Sequence, residues 1–592
     1  MNLPRAYTVG TYSNIIQEFG GYNHNLRISD NQFYDMLNMT SDYYPVLSTR
    51  PGRGYIRKLV NPTGFYTSEA LVWVEDGKLY YDSKEICELS GDKERSFVPM
   101  GAYLCIFPDK KILNISTMEV EDMEAEYVSA GEVKYTLTKL DATPYDTEKI
   151  HSGETAPSDT STYPYWYDIK ENALKMWNAN YNSWSVVGTT YIKIEAEGIG
   201  STFKENDAVT IAGSSISELN ASNLIISTSD DFIVVAGLIS GPQTQTEVLT
   251  IKREVPDMDF ICESGNRLWG CSSEKHEIYA SVLGDPKNWN VFQGLSSDSY
   301  AATVGTGGEF TGCISHLGYV LFFKENMIHK VYGSVPSNFQ ITEIHCRGVQ
   351  KGSHKSLTLV SETLFYKSRD GVCMYDGSMP VSISECLGKT LYQEAVGAQL
   401  NDKYYLSMRD QQDEWKLFVY DAAKAMWHVE DNTHVLWFGY YYGGLYFVND
   451  SGEMYLVNNE YEDNAIYPGM DDFYPDVYYP NSTCTNNQEQ LIPWMFETGD
   501  IGLETIENKY INKINIRLYL EEGSTAEIYV QYDSGDWELI NSIMNTDKKN
   551  YVVPIITRRC DHMRIRIEGY GDAKLYSFQK VTEKGSEVNG TS

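Results

Sequence analysis

From residue 256 to about 475 the chain repeats one pattern, two apolar strands around a polar turn, at roughly 40–50 residues per unit. The hairpins are NRLWGCSSEKHEIYAS (266–281), GYVLFFKENMIHKVYG (318–333), ETLFYKSRDGVCMYDG (362–377), KYYLSMRDQQDEWKLFVYD (403–421) and GLYFVNDSGEMYLVNN (444–459). Units of that length carrying four strands apiece are the signature of propeller blades. The repeat is one of pattern and not of copied residues, since neither a WD nor a kelch consensus is present. About five to seven blades are expected. The same pattern starts earlier: LVWVEDGKLYYDS (71–83) reads as a hairpin turning at Asp76-Gly77, and AYLCIFPDKKILNI (102–115) as one turning at Pro108-Asp109.

Three segments depart from this pattern. Residues 190–252 contain YIKIEAEGIGSTFKENDAVTIAG and LNASNLIISTSDDFIVVAG, four or five strands without the aromatic density found elsewhere, which predicts a small inserted β-barrel. Residues 481–592 hold long alternating runs: Ile514, Ile516, Leu518 and Leu520 share one face, and Asn515, Arg517 and Tyr519 the other. A period of two with one solvated face predicts an antiparallel β-sandwich. Residues 1–60 read as an N-terminal arm, a short turn of helix followed by extended chain, because Pro45 and Pro51 bias their neighbours toward extended backbone. The expected order is therefore arm (1–60), first blades (61–189, with a polar linker at 141–164), barrel (190–252), remaining blades (253–480) and sandwich (481–592). The terminal GSEVNGTS is expected to fray.

Composition supports an all-β reading. The 46 tyrosines and 46 glycines suit half-buried pleated surfaces joined by tight turns. The formal net charge of −34 argues against a protein that grips nucleic acid over its surface, because phosphate contacts need a basic footprint. No stretch approaches the roughly 18 apolar residues of a membrane span, and the N-terminus lacks the layout of a secretory signal. The ten cysteines form no CxxC pair and several lie in apolar runs, as Cys105 does, so they read as buried thiols of a reduced compartment, without disulfides.

Catalytic signals are weak. Glycoside hydrolysis needs two carboxylates across a pocket, but 82 acidic residues make such pairings unspecific. YDSGDWEL (532–539) faintly resembles a sialidase Asp-box turn and reads better as a hairpin bend at Gly535 with Trp537 packing. His345, Cys346 and His354 lack the paired spacing of a zinc site, and His428 and His434 read as structural. VGTGGEF (304–310) has clustered glycines without the lysine and helix of a phosphate loop. Of two basic clusters, Arg564 and Arg566, with Arg558 and Arg559, read as the solvated face of the sandwich. Arg50, Arg53, Arg57 and Lys58 in the arm could touch DNA or a neighbouring subunit's acidic surface, and in so acidic a chain the inter-subunit contact is the expected one.

The run LNMTSDYYPVLSTRPGRG resembles the opening of short-tailed phage nozzle and head-completion proteins, in which Asn38, Met39, Pro45, Leu47, Arg50, Pro51 and Gly52 match the family's Asn-Met, Pro, Leu and Arg-Pro-Gly positions. SGNRLWGCSSEKHEIYASVLGDPKNW (264–289) resembles the same family at Asn266, Arg267 and Leu268, at Tyr279, Ala280 and Ser281, and at Gly284, Asp285 and Pro286. GYVLFFKENMIHKVYG matches the strand pair that follows, and DAVTIAGSSISELNASNLIISTSDDFIVV (207–235) resembles the family's inserted barrel. The resemblance covers roughly residues 30–475. It implies a virion protein, made in the host cytoplasm, that forms a homo-oligomeric ring, typically a hexamer. The ring would sit below the portal and adaptor, contact other tail proteins, help retain packaged genomic DNA and let it pass at ejection. It implies no catalytic residue, no metal and no cofactor, and hence a chain that is not an enzyme. Six copies would carry roughly −200 charges, so an acidic lumen would offer passing DNA few ion pairs. The alternative is a carbohydrate-binding or depolymerising tail protein, with stacked Trp or Tyr beside a carboxylate pair.

Overall fold

The computed structural model describes residues 11–458, 491–503, 509–544, 550–554 and 558–583. Cys484, the expected domain junction near 480 and the C-terminal GSEVNGTS lie outside the described residues. Among those described there is no α-helix, only 3-10 turns between strands. The chain is an all-β protein, a β-propeller with an inserted small β-barrel and a C-terminal β-sandwich.

Seven four-stranded antiparallel sheets provide the blades: blade 1 (62–88), blade 2 (96–122), blade 3 (260–303), blade 4 (312–345), blade 5 (358–382), blade 6 (395–429) and blade 7 (435–456). Blade 7 takes its fourth strand from far upstream, Gly54–Lys58, which pairs with Glu453–Leu456. Second strands are apolar without alternation because both their faces are packed; Leu71, Val72, Trp73 and Val74 are all buried. The first hairpin turns where expected, with Asp76 and Gly77 both at positive φ (51° and 75°), as a two-residue turn between right-twisted strands requires.

The fold divides into two compact units. One holds residues 1–94, 321–329 and 343–592, and within it the first strands of blades 5, 6, 7 and 1 neighbour one another in that order. It also contains the sandwich. One sheet is built on Ala573–Glu583 and Lys509–Leu520, the other on Pro493–Thr498, Met563–Tyr570 and Thr525–Tyr532. Ile514, Ile516, Leu518 and Leu520 are buried while Arg517 is exposed, as their alternation predicts. A single apolar core runs from Phe418 and Trp427 of blade 6 to Trp494, Phe496 and Ile567 of the sandwich.

The N-terminal segment departs from the expected arm. Thr11–Ile16 and Leu47–Thr49 pair with Ala573–Glu583, Phe33–Leu37 pairs with Pro493–Thr498, and Met39–Thr40 pairs with Leu47–Thr49. Asn38 at φ 54° breaks the run between two of these strands, so the expected helical turn does not form. The segment completes the sandwich and then blade 7.

The second unit holds residues 95–320 and 330–342. Its barrel is larger than expected, an eight-stranded sheet that recruits Ala125–Val128 and Val133–Thr138 before the strands between Tyr191 and Arg253. Residues 150–186 form a separate four-stranded sheet rather than blade strands. Ile150–Gly153, inside the expected linker, pairs there in parallel with Tyr165–Asp168.

Candidate functional site

The motif residues first quoted from the sequence hold loops in place. Asn38 is buried, donates from Nδ2 to the Pro493 carbonyl at 2.7 Å and accepts from Arg50 Nε at 2.7 Å. Arg50 also donates to the Pro51 carbonyl at 3.0 Å and lies 3.7–3.8 Å from Asp431 and Glu430. Arg53 completes the network at 2.7 Å from each of those carboxylates, and Arg57 pairs with Glu75 at 2.8 Å. The arm arginines therefore bind carboxylates of their own chain, a correction to the expected contact with a neighbouring subunit. Met39 and Leu47 are buried in the sandwich; Pro45 and Pro51 are exposed, and Gly52 is half-buried.

The second motif acts in the same way. Arg267 is buried and, among the described residues, has no carboxylate at bonding distance; it donates to the carbonyls of Ser281 (2.7 Å), Ser296 (2.7 Å) and Asp298 (2.5 Å), and so staples the long loop between Ala280 and Tyr300. Ser281 Oγ accepts from the Leu268 amide at 3.0 Å. The Asn266 carbonyl accepts from the Gly284 amide at 2.8 Å. Leu268 and Ala280 are fully buried, and Tyr279 donates to Glu277. Asp285 receives Asn288 Nδ2 at 2.6 Å, and the Pro286 carbonyl receives Trp289 Nε1 at 2.9 Å. Asn288 Oδ1 in turn accepts from the Ala208 amide at 2.8 Å, which ties the loop to the barrel.

A different set of residues offers surface chemistry. In an antiparallel blade the start of the first strand, the end of the second and the start of the third share one end. Blades 5, 6 and 7 bring six polar or aromatic side chains to that end. Lys355 lies in the turn before Thr358–Val360, Glu394 before Ala395–Leu400, and His434 before Val435–Tyr441. Arg409 and Trp415 face each other across the second hairpin of blade 6, and Trp437 lies on the first strand of blade 7. Glu94, beyond the last strand of blade 1, joins them: it pairs with Lys355 and accepts from Trp437 Nε1 at 2.9 Å. The Lys355 ammonium lies 4.7 Å from the centre of the Trp437 ring and donates to the Leu436 carbonyl at 3.0 Å. Trp415 stacks on His434 at 3.7 Å and 12°, and Asp450 lies 3.5 Å from His434 Nδ1. Glu394 pairs with Arg409 at 2.7 Å.

Trp415, Trp437 and His434 are half-buried, and Glu94 is exposed. Burial pushes the His434 imidazolium down, with Asp450 opposing, and burial pushes neighbouring His354 down to about 4, so both imidazoles are favoured neutral near pH 7. Indole faces beside carboxylates are suited to the apolar faces and hydroxyls of a sugar ring. His434 and His354 were singled out in the sequence for other roles; Glu94, Lys355, Glu394, Trp415 and Trp437 were not, because nothing local marks them.

The remaining sequence candidates lie elsewhere. YDSGDWEL forms a hairpin bend, with Asp533 and Ser534 at positive φ and Asp533 accepting the Asp561 and His562 amides at 2.8 and 3.2 Å. His345 is exposed, and Cys346 is pushed up to about 11 by burial. Among the described residues no three His, Cys, Asp or Glu side chains are grouped to hold a metal ion. VGTGGEF is a loop between Thr303 and Gly312. Arg564 pairs with Asp500 at 2.6 Å, and Arg558 with Glu538 at 2.6 Å. No helix of the described residues is long and apolar enough to cross a membrane.

No protein-family model matches the chain, and no curated protein matches it. Solved structures do. An exo-beta-1,3-galactanase from Phanerochaete chrysosporium with galactose is 8% identical, over 53% of this chain and 92% of that one, with a TM-score of 0.20. BamB from Moraxella catarrhalis is 11% identical, over 46% and 89%, with a TM-score of 0.21. A bifunctional GH43-CE protein from Bacteroides eggerthii is 10% identical, over 56% and 63%, with a TM-score of 0.20. These are likenesses of fold, and none of the three is a phage tail protein. The expectation that the chain is not an enzyme is corrected by them: glycoside hydrolases are among the structures it is similar to, and the exclusion of catalysis is withdrawn.

Proposed function

We propose that the chain is a structural component of a short phage tail, a nozzle or hub ring at the portal-tail vertex that helps retain packaged DNA and forms part of the ejection channel. The observation that carries this reading is the place of the motif residues. Asn38, Arg50 and the Gly284-Asp285-Pro286 turn are buried or hydrogen-bonded anchors that tie the N-terminal segment to the sandwich and to the loop between blades 6 and 7, and the barrel to its neighbouring loop. Residues with those roles keep a rigid body rigid, as a ring under the pressure of packaged DNA requires. The net charge of −34 supports passage of DNA without adhesion. The test is the mass of the purified chain by light scattering, with negative-stain images of the same sample. Closed rings of about six copies agree with the reading. A strict monomer that also fails to bind purified portal-adaptor complex opposes it.

A second reading is favoured by one specific cluster: Trp415 on His434, and Trp437 against Glu94 and Lys355, suit a carbohydrate-binding or depolymerising tail protein. Incubation with host-surface polysaccharide, followed by assays of retention and of reducing ends, tests it. Retention lost in a Trp437→Ala, Trp415→Ala variant agrees with binding, and release of reducing sugar adds hydrolysis. Neither retention nor release by the intact chain removes this reading.

A further inference from the structure

A cleft of about 180 Å³ opens at the same end of blades 5 and 6, lined by Lys367, Arg369, Asp370, Lys389, Tyr392 and Met408 among others. It is far smaller than the roughly 300–1,000 Å³ of drug-sized ligand sites, so it suits an ion or a single small group. Its lining carries three cationic side chains and one carboxylate, and that carboxylate, Asp370, is 3.5 Å from Arg369. Arg369 and Lys389 are exposed at the rim. Lys367 is different: only 1% of it is exposed. It is the penultimate residue of the second strand of blade 5, Thr363–Ser368, where its side chain lies in the packed body of the blade rather than on the surface.

The Lys367 ammonium donates to Gln350 Oε1 at 2.7 Å and to the Ser368 carbonyl at 2.5 Å. Both acceptors are neutral, and an ammonium has a third N–H to give. Among the described residues no carboxylate lies within ion-pair distance of it. A buried cation without a counter-ion is among the most unfavourable groups a protein can hold. Burial accordingly pushes Lys367 down to about 8 from the ordinary lysine value. A strand position of this kind is readily filled by an apolar residue, as Leu364 and Phe365 fill buried positions of the same strand.

We propose that this cleft is a binding site for a small oxyanion, a phosphoryl or sugar carboxylate group, held by Arg369 and Lys389 at its rim over the buried charge of Lys367 in its lining. The anion supplies the counter-charge that the blade lacks, and the apolar wall of Tyr392 and Met408 accommodates the carbon skeleton attached to it. The site is independent of the Trp415 and Trp437 cluster, although it opens at the same end of neighbouring blades. It is a binding site only, and no covalent step is assigned to it.

The experiment is calorimetric titration of the full-length chain at pH 7 with inorganic phosphate and, separately, with glucuronate, using neutral glucose as the control. Saturable binding of either anion, with none of glucose, is the expected result, and the arm that saturates at the lower concentration names the source. Lys367→Met, which keeps the stem and removes the charge, is expected to weaken binding about tenfold or more, the worth of a charged hydrogen bond. Lys389→Ala, at the exposed rim and therefore harmless to folding, is expected to weaken it about threefold. Absence of saturable binding by both anions overturns the proposal. So does unchanged binding in Lys389→Ala together with a folded Lys367→Met.

Discussion

Replacing Arg53 with Met isolates the energetic role of the N-terminal motif. Its guanidinium donates to Glu430 and Asp431 at 2.7 Å each and to Thr433 Oγ1 at 2.9 Å, and its side chain is 7% exposed, against 5% for Glu430 and 22% for Asp431. Removing one partner of a buried pair leaves an uncompensated charge and costs about 3–5 kcal/mol. Here Arg50 stays within 3.8 Å of both carboxylates, so the lower end, about 3 kcal/mol, is expected. Denaturant unfolding followed by tryptophan fluorescence reads it, because Trp427 and Trp494 are buried in the core that joins blade 6 to the sandwich. Adding Glu430→Gln and Asp431→Asn to Arg53→Met should recover part of the loss, since the orphaned charges go with them. Acid sharpens the test. The Arg53 guanidinium holds Asp431 below the usual carboxylate range despite its burial. A depressed carboxylate adds stability above its unfolded pKa of about 4, and that contribution is lost as pH falls through the lower folded value. The gap between the native chain and Arg53→Met should therefore narrow from pH 7 toward pH 3. A variant within about 0.5 kcal/mol of the native chain at pH 7, or a gap that widens in acid, refutes the reasoning.

Other perturbations have defined outcomes. A Cβ at Gly200 would lie 1.5 Å from the Ser229 carbonyl oxygen, so Gly200→Ala should destabilise the barrel by several kcal/mol, seen as an early thermal transition or faster proteolysis between residues 190 and 252. Arg267→Met deprives at least three buried or half-buried carbonyls of their donor and should loosen residues 282–299, read as faster amide exchange there while blades 5 to 7 keep their protection. Glu94→Gln keeps the bond from Trp437 Nε1 and removes the pair with Lys355; saccharide retention that depends on the carboxylate's charge should fall, with thermal stability changed by about 1 kcal/mol or less.

Local chemistry marked some of the fold plainly. Asp76-Gly77 permits little other than a tight hairpin, and the alternation from Ile514 to Leu520 fits only a one-sided strand. What lies between distant residues was hidden. Gly54–Lys58 looks like the end of an extended arm until Glu453–Leu456 supplies its partner. Leu37, Met39 and Leu47 carry a run that suits a helical turn as well as strands, and the choice is made by pairing with residues near 495 and 575. Ala125–Val128 belongs to the barrel only because Thr250–Arg253 returns beside it. The strands at 165–186 fall within the expected first blades, whereas their parallel partner at 150–153 lies in the expected polar linker and has no local signal. The site was less legible still. Glu94 and Glu394 are two of 82 acidic residues, and only the shared end of the blades brings them near Lys355, Arg409 and the two tryptophans. The arginines at 50, 53 and 57 were visible as a cluster, but their carboxylate partners lie up to about 380 residues away in Glu430 and Asp431.

The most direct test of the tail assignment is cryo-electron microscopy of intact virions that carry this gene, with the propeller, barrel and sandwich fitted to the tail vertex. The account predicts repeated copies around the DNA path below the portal, with an inner wall rich in Asp and Glu. Virions that lack the chain, or copies that line the DNA path with Lys and Arg, would contradict it.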